Sequence, residues 1–209
     1  MTLYRPERDV FLASSLEVAP QLLGAVLRHE TPEGTVGLRI TEVEAYIGDG
    51  LDPGSHAFRG RTRRNAVMYG PPGHLYAYFT YGMHVCANVV CSPEGEASAV
   101  LLRAAEVIEG EDLAESRRVG GSGRRIPHRD LARGPARLVV AAGMSLANDG
   151  ADLFVPPFEL LLPTEQAEYS TGPRTGVSGA GGGLAYPWRY WLTGDPTVSP
   201  YKRHPKSDD

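Results

Sequence analysis

Hydrophobic residues along the chain recur mainly at every second position, which is typical of β-strands. In the segment VGLRITEVEAYIG, Val36, Leu38 and Ile40 share one face of a strand. The same period continues through Glu42 and Glu44, so it predicts that two carboxylates extend the apolar face. Acidic side chains are rarely buried unless they are paired, and this strand is therefore the first place where we expect chemistry.

The segment HLYAYFTYGMHVCANVV, residues 74–90, predicts a β-hairpin with Tyr81 and Met83 at its tip. By alternation, Tyr76 and Tyr78 share one face of the hairpin. The opposite face carries Leu75, Ala77, Phe79 and Tyr81. Cross-strand aromatic packing explains Tyr76 and partly Tyr78. It does not explain an aromatic ring at the tip, where turns usually carry polar residues.

The remaining pattern predicts short elements joined by turns rich in glycine and proline. The predicted helices cover residues 14–23, residues 110–118, and ARLVVAA after Gly134-Pro135, where proline suits the first helical position. The predicted strands are AVLRH, ASAVLLRAA at 97–105, two short ones near 152–155 and 158–162, and WRYWLTG. The segment GPRTGVSGAGGG is predicted to be a flexible loop, and the tail at 201–209 is predicted to be frayed.

A chain of 209 residues is long enough to bury one large core. No repeat or linker divides it, so we expect a single domain over residues 1–209. No apolar run reaches the ~18 residues of a membrane span, and the N-terminus lacks the basic and apolar regions of a signal peptide. We therefore expect a soluble cytoplasmic protein that has no membrane partner.

The formal net charge of −4 conceals a segregated distribution. Residues 53–93 carry four arginines and no acidic residue, and residues 116–148 carry seven arginines and one aspartate. Such segregation indicates a basic face on an otherwise acidic protein, as in proteins that bind polyanions. Solvated arginine-rich loops without a partner would give the same composition, and both interpretations stay open at this point.

Glu44, close to Tyr46 on the same strand, is the first candidate for a catalytic group. Burial disfavours the charged form of a carboxylate, which suits a general base that activates water near neutral pH. Arg103 ends the apolar run AVLL, and a buried arginine needs an acidic partner, for which Glu44 is the simplest choice. The alternatives are a structural carboxylate–arginine pair and a strand-end arginine that reaches solvent.

Four other residues attract attention for their chemistry. His56 lies in a polar loop, where it could be a ligand or a catalyst, and Asn88 on the return strand of the hairpin is a candidate buried amide. The histidines are scattered and H-E-x-x-H is absent, so we expect no metal site. Cys86 and Cys91 fit neither a zinc site nor a disulfide, and we expect small buried residues in a reducing compartment.

Several long stretches occur along the chain in a distinctive order. They are EVEAYIG, SHAFRGRTRRNAVMYGPPGHLYAYFTYGMHVCANVV, AVLLRAAEVIEG, RGPARL, and RTGVS followed by PWRYW. Together they resemble the alkyladenine (3-methyladenine) DNA glycosylase family over nearly the whole chain. The resemblance implies an α+β fold: a single compact domain dominated by a curved antiparallel β-sheet, with flanking short helices, a protruding β-hairpin, and no metal or organic cofactor.

The resemblance also implies a function. It indicates a monofunctional, monomeric N-glycosylase of base excision repair, which removes 3-methyladenine, 7-methylguanine, hypoxanthine or ethenoadenine from double-stranded DNA. Such enzymes flip the damaged nucleotide out of the duplex. The only two lysines lie in the tail, so no core lysine could form a Schiff base and no lyase activity is expected.

The family's functional residues match positions in this chain. Glu44 matches the catalytic base, which activates water for attack at C1′, and Arg103 matches the arginine that helps to hold that water. The residues matching the base-binding pocket are Tyr46, His56, Tyr78, Asn88 and Val177, with the Val177 carbonyl expected to contact the water. The expected DNA contacts are Tyr81 and Met83 as an apolar wedge, together with Arg59, Arg61, Arg64, Asn65 and Arg137.

The chain departs from the family pattern at Arg63, at His84 and in the glycine-rich residues 179–186. These departures concern loop contacts to DNA and base preference. A nucleic-acid-binding module without chemistry would also suit a basic face and an aromatic tip. Glu44 argues against it, because a buried carboxylate repels phosphate and is costly to desolvate. An accessory domain of an RNA-directed transferase rests on fold analogy alone.

Overall fold

The computed structural model describes residues 2–80, 82–120 and 125–208. In these ranges the chain forms an open antiparallel sheet with three short helices, which confirms the predicted α+β class. The strands there are β1 (Leu3–Tyr4), β2 (Val26–Thr31), β3 (Gly34–Ile47), β4 (Leu75–Thr80), β5 (His84–Val90), β6 (Ser98–Glu109), β7 (Ala132–Arg133), β8 (Phe158–Pro163), β9 (Tyr169–Gly172) and β10 (Arg189–Leu192). The helices are α1 (Ser15–Val18), α2 (Glu111–Val119) and α3 (Pro135–Ala142).

The two long strands β3 and β6 form the centre of the sheet. The strand order is β1-β8-β2-β3-β6-β5-β4, with all pairs antiparallel. The first half of β3 pairs with β2 and its second half pairs with β10, while β6 pairs with β5 near its start and with β7 in its middle. Because both central strands change neighbours along their length, the sheet divides around them.

Two irregularities in the pairing of β3 with β6 determine which side chains face the core. Thr41 on β3 and Arg103 on β6 have no opposed residue in this register. An extra residue in a strand reverses the faces of the residues beyond it. The core side chains of β3 are Val36, Leu38 and Ile40 before the bulge, and Val43 and Ala45 after it. The prediction that Glu42 and Glu44 continue the apolar face is therefore wrong, because the bulge turns them to the other side.

The main hydrophobic core lies between the sheet and the three helices. It includes Leu27, Leu38, Leu75, Leu102 and Leu138, all almost fully buried. Burying each such side chain stabilises the fold by about 1.5–3 kcal/mol. A smaller cluster on the opposite face joins the loop at 49–73 to the sheet. This second cluster leaves part of that face uncovered between β3 and β4.

Local sequence explains where the helices begin and end. Ser14 and Glu17 form a capping box on α1, but Pro20 has no N–H to continue the helix, and the chain passes into a 3₁₀ turn at Ala19–Leu22. Pro135 is the first residue of α3, as predicted, and Gly143 ends it with a φ of 69°. The helix predicted at 110–118 is found as α2.

The C-terminal segment is attached to the body of the protein. The N–H of Gly176 donates to the carbonyl of Lys202 at 2.9 Å, and the N–H of Gly179 donates to the carbonyl of Lys206 at 2.6 Å. The prediction of a frayed tail is therefore wrong for residues 202–208. These hydrogen bonds join segments that are distant in sequence, so no local pattern indicated them.

Two smaller points complete the fold. The strand predicted near 152–155 is a turn, in which Asp152 forms an isolated bridge with His74. The strand predicted at 97–105 continues to Glu109 as part of β6. Across the described parts of the chain, no helix combines the length and hydrophobicity needed to cross a membrane.

Candidate active site

A cavity of about 510 Å³ opens on the uncovered face of the sheet, opposite the main core. Its floor consists of cross-strand neighbours on the four strands β3, β6, β5 and β4. Glu44, Leu101, Asn88 and Tyr76 form one row in register, Cys86 and Tyr78 are opposed to each other in the next, and Arg103 also lines the cavity. Opposed side chains in an antiparallel sheet stand ~5 Å apart. The sheet thus brings residues from four strands into one cavity.

Glu44 is fully buried beneath the cavity and its carboxylate is held from three sides. The Tyr46 hydroxyl donates to Oε2 at 2.8 Å, and the backbone N–H of Thr175 donates to Oε1 at 2.7 Å. Arg103 Nη1 lies 3.4 Å from Oε1. Burial and the adjacent Glu44 raise the pKa of the Tyr46 hydroxyl, which therefore stays protonated and keeps donating. The carboxylate oxygens retain further lone pairs for a water molecule.

Arg103 has a second acidic partner, which the sequence did not indicate. Its Nε donates to Glu42 Oε1 at 3.0 Å, closer than its approach to Glu44. Glu42 also accepts from Arg189 Nε at 2.6 Å and from the backbone N–H of Ser199 at 2.7 Å. Burial opposes ionisation of Glu42, but Arg103 and Arg189 outweigh it and lower the pKa of Glu42. The predicted contact of Arg103 with Glu44 is present, and Glu42 adds a closer partner that holds Arg103 beside the candidate catalytic carboxylate.

The aromatic residues form two parts of the cavity wall. The rings of His56 and Tyr78 meet edge to face, with centroids 4.5 Å apart, and His56 Nδ1 lies 3.3 Å from the Tyr76 hydroxyl. Burial, with the positive charge of Arg64, lowers the pKa of His56, so the imidazole is neutral at neutral pH. Tyr46 reaches the cavity from β3. A planar ligand would meet aromatic surface from both β3 and β4.

A buried arginine supports Tyr46 from behind. Arg174 is fully buried, and its guanidinium carbon lies 4.5 Å from the centroid of the Tyr46 ring. Both terminal nitrogens donate to Asp52 at 2.6 Å, and the remaining N–H groups reach the carbonyls of Ala45 and Gly181. Arg174 lies in the segment predicted to be a flexible loop. That prediction is wrong here, because Arg174 ties the loop to Ala45 of β3 and to Asp52, and closes it on itself at Gly181.

Asn88 and Val177 both line the cavity, as expected. The buried Asn88 amide donates to the carbonyl of Tyr76 at 2.9 Å, which fixes its orientation. The Val177 carbonyl accepts from Ser207 Oγ at 2.6 Å and lies so close to Gly182 that a side chain there would clash. The expected contact between this carbonyl and the attacking water therefore gains no support from its position. Ser207 belongs to the attached tail, which sequence reasoning had set aside.

The expected DNA-contacting residues differ in their surroundings. Met83 at the hairpin tip is 71% exposed, while Tyr81 lies outside the described residues. Arg59, Arg61 and Arg64 are exposed, and no carboxylate of the described chain lies within 4 Å of them. Arg64 also donates to the carbonyl of Phe79 at 3.0 Å. These arginines remain available to an anionic partner.

Asn65 is buried, so its prediction as a DNA contact is wrong. Its amide group donates to the carbonyls of His56 and Gly60, and its oxygen accepts from the N–H and hydroxyl of Thr62. The side chain thus has no free hydrogen-bonding group to offer a phosphate. Its role is to hold the loop that carries His56.

The two cysteines are free and buried, as predicted, and Cys86 lines the cavity floor. In the described ranges, no group of three or more His, Cys, Asp or Glu side chains is arranged to hold a metal ion. The machinery on the floor of the cavity is thus a carboxylate, an arginine and aromatic rings. This combination suits the hydrolysis of a bond to a planar, electron-poor group.

Comparison with known proteins agrees with this class of hydrolytic site. The family model described as methylpurine-DNA glycosylase (MPG) matches residues 9–196. The chain belongs to the methylpurine-DNA glycosylase family, whose members hydrolyse N-glycosyl bonds in DNA during the repair of alkylation damage by base excision.

Similar proteins in two bacteria carry the name "Putative 3-methyladenine DNA glycosylase". The one from Leifsonia xyli subsp. xyli is 80% identical over 207 residues, covering 99% of this chain and 97% of the relative. The one from Streptomyces avermitilis is 55% identical over 202 residues, covering 94% of this chain and 92% of the relative.

Proposed function

We propose that this protein is a monofunctional DNA N-glycosylase that flips damaged purines out of duplex DNA and releases them by water attack at C1′. The proposed substrates are 3-methyladenine, 7-methylguanine, hypoxanthine and ethenoadenine. The observation that carries the proposal is the buried Glu44 carboxylate, held by Tyr46, Thr175 and Arg103 at the floor of an aromatic cavity. The enzyme would act as a monomer on chromosomal DNA.

Base binding would use the aromatic walls. A flipped base would stack against Tyr46 on one side and against the His56–Tyr78 pair on the other. Aromatic faces attract cations, so they favour 3-methyladenine and 7-methylguanine, which carry a positive charge. A neutral His56 avoids repelling such a base, which is consistent with its lowered pKa.

Catalysis would depend on one water molecule beside Glu44. As the bond between C1′ and the purine nitrogen breaks, the water oxygen bonds to C1′ and Glu44 accepts a water proton. The electron pair of the broken bond leaves with the base, which a cationic base accepts without further protonation. The carboxylate also stabilises the positive charge that develops on the sugar, by the logic of glycoside hydrolysis. Arg103, held by Glu42, would orient both the carboxylate and the water.

Selection against undamaged guanine would fall to Asn88. Its amide is fixed by the Tyr76 carbonyl on the floor of the cavity, so it cannot move away from an approaching exocyclic amino group. An unmodified purine is also a poor leaving group because it carries no positive charge. Both features would favour damaged over normal bases.

The hairpin tip would fill the space left in the duplex. Met83 is highly exposed at the end of the β4–β5 hairpin, and Tyr81 is two residues earlier in the chain. Apolar side chains inserted between base steps are a common means of holding an unstacked duplex open. We assign this wedge role to Tyr81 with Met83.

The central test is excision from duplex DNA that contains hypoxanthine or ethenoadenine. Glu44→Gln keeps the size and shape of the side chain but removes its basicity, and it exchanges one acceptor oxygen for a donating amide group. We expect it to retain binding to lesion-containing DNA and to lose nearly all single-turnover excision. Wild-type product strands should break only after alkali, since the only lysines, Lys202 and Lys206, do not line the cavity.

The matched control is Glu106→Gln, which alters a carboxylate paired with Arg39 away from the cavity. It should excise like the wild type. Wild-type excision rates in the Glu44→Gln variant would show that another group activates the water. Strand breakage without alkali would contradict the monofunctional assignment.

A further inference from the structure

A second cavity, of about 350 Å³, lies between the end of α2, the segment 125–127 and the start of α3. Three arginines converge on it: Arg118 from α2, Arg125 from the connecting segment and Arg137 from the first turn of α3. Arg137 also lines the cavity that contains Glu44. The two cavities are therefore adjacent, with one arginine shared between them.

These three arginines have no acidic partner in the part of the chain that the structure describes. Within the described ranges no carboxylate lies within 4 Å of any of their guanidinium groups. Asp130 also lines the cavity, but its carboxylate is paired with Arg133 at 3.2 Å. The Nε of Arg118 donates to the carbonyl of Leu131, and this hydrogen bond does not involve its two terminal nitrogens. Three guanidinium groups thus meet at a cavity whose described lining includes a single carboxylate, that of Asp130.

Two neighbouring arginines make the hydrogen bonds to carboxylates and carbonyls that are typical of a structural role. Arg117 donates to Glu33 and Thr31, and Arg133 donates to Asp130 and to the carbonyl of Val198. Burial, with the positive charge of Arg137, lowers the pKa of Arg118, so this guanidinium is in an unfavourable field without an anion. The arginines around the second cavity are therefore better suited to binding an anion than to stabilising the fold.

We infer that the second cavity binds one backbone phosphate of the DNA strand that carries the flipped nucleotide. This inference rests on the proposed function. Guanidinium groups bind phosphate oxygens in bidentate fashion, and the first turn of α3 adds the partial positive charge of a helix N-terminus. Because Arg137 borders both cavities, a strand whose base enters the first cavity has a phosphate next to the second.

The inference is tested by replacing single phosphates with uncharged methylphosphonates. A set of duplexes carries one ethenoadenine and one methylphosphonate at successive positions on either side of the lesion. Binding is measured for the wild type, for Arg125→Gln and Arg118→Gln at the second cavity, and for Arg129→Gln as control. Arg129 is an exposed arginine of the adjoining 3₁₀ turn at His128–Asp130, and it does not line the cavity.

For the wild type we expect one methylphosphonate position in the damaged strand to weaken binding by about tenfold. At that position Arg125→Gln and Arg118→Gln should cause little further loss, whereas at all other positions they should weaken binding by the full amount. Each should also lower the slope of log Kd against log salt by about one. Arg129→Gln should show no dependence on position. Arg125 is exposed, so its variant tests the site even if Arg118→Gln fails to fold.

If each arginine variant weakens binding by the same factor at every methylphosphonate position, the inference is wrong. The arginines would then contribute only a general electrostatic attraction to DNA. Inorganic phosphate offers a separate arm. If it raises the Tm of the wild type but not of Arg125→Gln, while the methylphosphonates show no coupling, the cavity binds a free anion and the assignment to DNA is wrong. Excision of ethenoadenine by the wild type is recorded in the same series, so failure of the proposed function is distinguishable from failure of this site.

Discussion

Two groups of arginines in this chain differ in what surrounds them. The buried group is Arg103, Arg174 and Arg189, and the exposed group in the loop at 49–73 is Arg59, Arg61, Arg63 and Arg64. The buried arginines bind carboxylates that are themselves fully buried, whereas the exposed ones have no described carboxylate within reach. A buried guanidinium is costly without a partner. The same residue type therefore holds the site together in one region and remains free for a partner in the other.

Among the arginines compared, we expect the largest effect on the free energy of unfolding from replacing the buried Arg174. Arg174→Ala would leave Asp52 fully buried without its bidentate partner, so we expect a loss of about 3–5 kcal/mol in the free energy of unfolding. Denaturant unfolding measures this loss. The exposed counterpart Arg61→Ala should change stability by no more than about 0.5 kcal/mol. A loss below about 1 kcal/mol for Arg174→Ala would mean that the pair contributes little to the fold.

Glu42 tests whether the buried network positions the catalytic groups. In Glu42→Gln, Arg103 loses its closer acidic partner and should shift toward Glu44, so single-turnover excision should fall about 10- to 100-fold. The free energy of unfolding is measured in parallel, and a rate that falls only because less protein is folded would indicate a structural effect alone. Glu106→Gln, which alters a partly exposed pair, should change neither the excision rate nor the stability.

Asn65 lies in the same loop as the exposed arginines, but its side chain is buried like those of the first group. Asn65→Ala leaves the carbonyls of His56 and Gly60 without their donor, so we expect a loss of about 1–3 kcal/mol in the free energy of unfolding. The salt dependence of DNA binding should stay as in the wild type. A reduced salt slope with unchanged stability would restore the original prediction of a DNA contact.

The smallest effect on the fold should come from the exposed arginines. Arg59→Gln and Arg61→Gln should leave unfolding nearly unchanged, while each lowers the slope of log Kd against log salt by about one. Filter binding or fluorescence anisotropy across a salt series measures the slope. An unchanged slope for both variants would assign these arginines to solvent rather than to DNA.

Patterns that depend on neighbouring residues predicted much of this molecule. The two-residue period of 74–90 predicted the hairpin and the sharing of a face by Tyr76 and Tyr78, and the family motifs identified Glu44 and Arg103 as residues that meet at one cavity. These features depend on strand geometry or on long local motifs. They can therefore be derived without knowing which strands pair.

The features that escaped sequence reasoning depend on distant partners. Arg174 meets Asp52 across 122 positions of the chain, so nothing near GPRTGVSGAGGG indicated an anchored loop. The attached tail is a similar case. The reversal of faces at Thr41 depends on the register between β3 and β6, which alternation along one strand cannot reveal.

The paired irregularity at Thr41 and Arg103 limits how the central strands could change in length. Because side chains alternate with a period of two, deleting Thr41 alone would turn Glu44 and Tyr46 toward the helices and direct Val43 and Ala45 toward the cavity. Substitutions in β3 can therefore change the core-facing or the cavity-facing side chains separately, but a one-residue deletion would exchange the two sets. The bulge therefore sets which side chains of β3 face the cavity, and the chemistry of the cavity depends on keeping it.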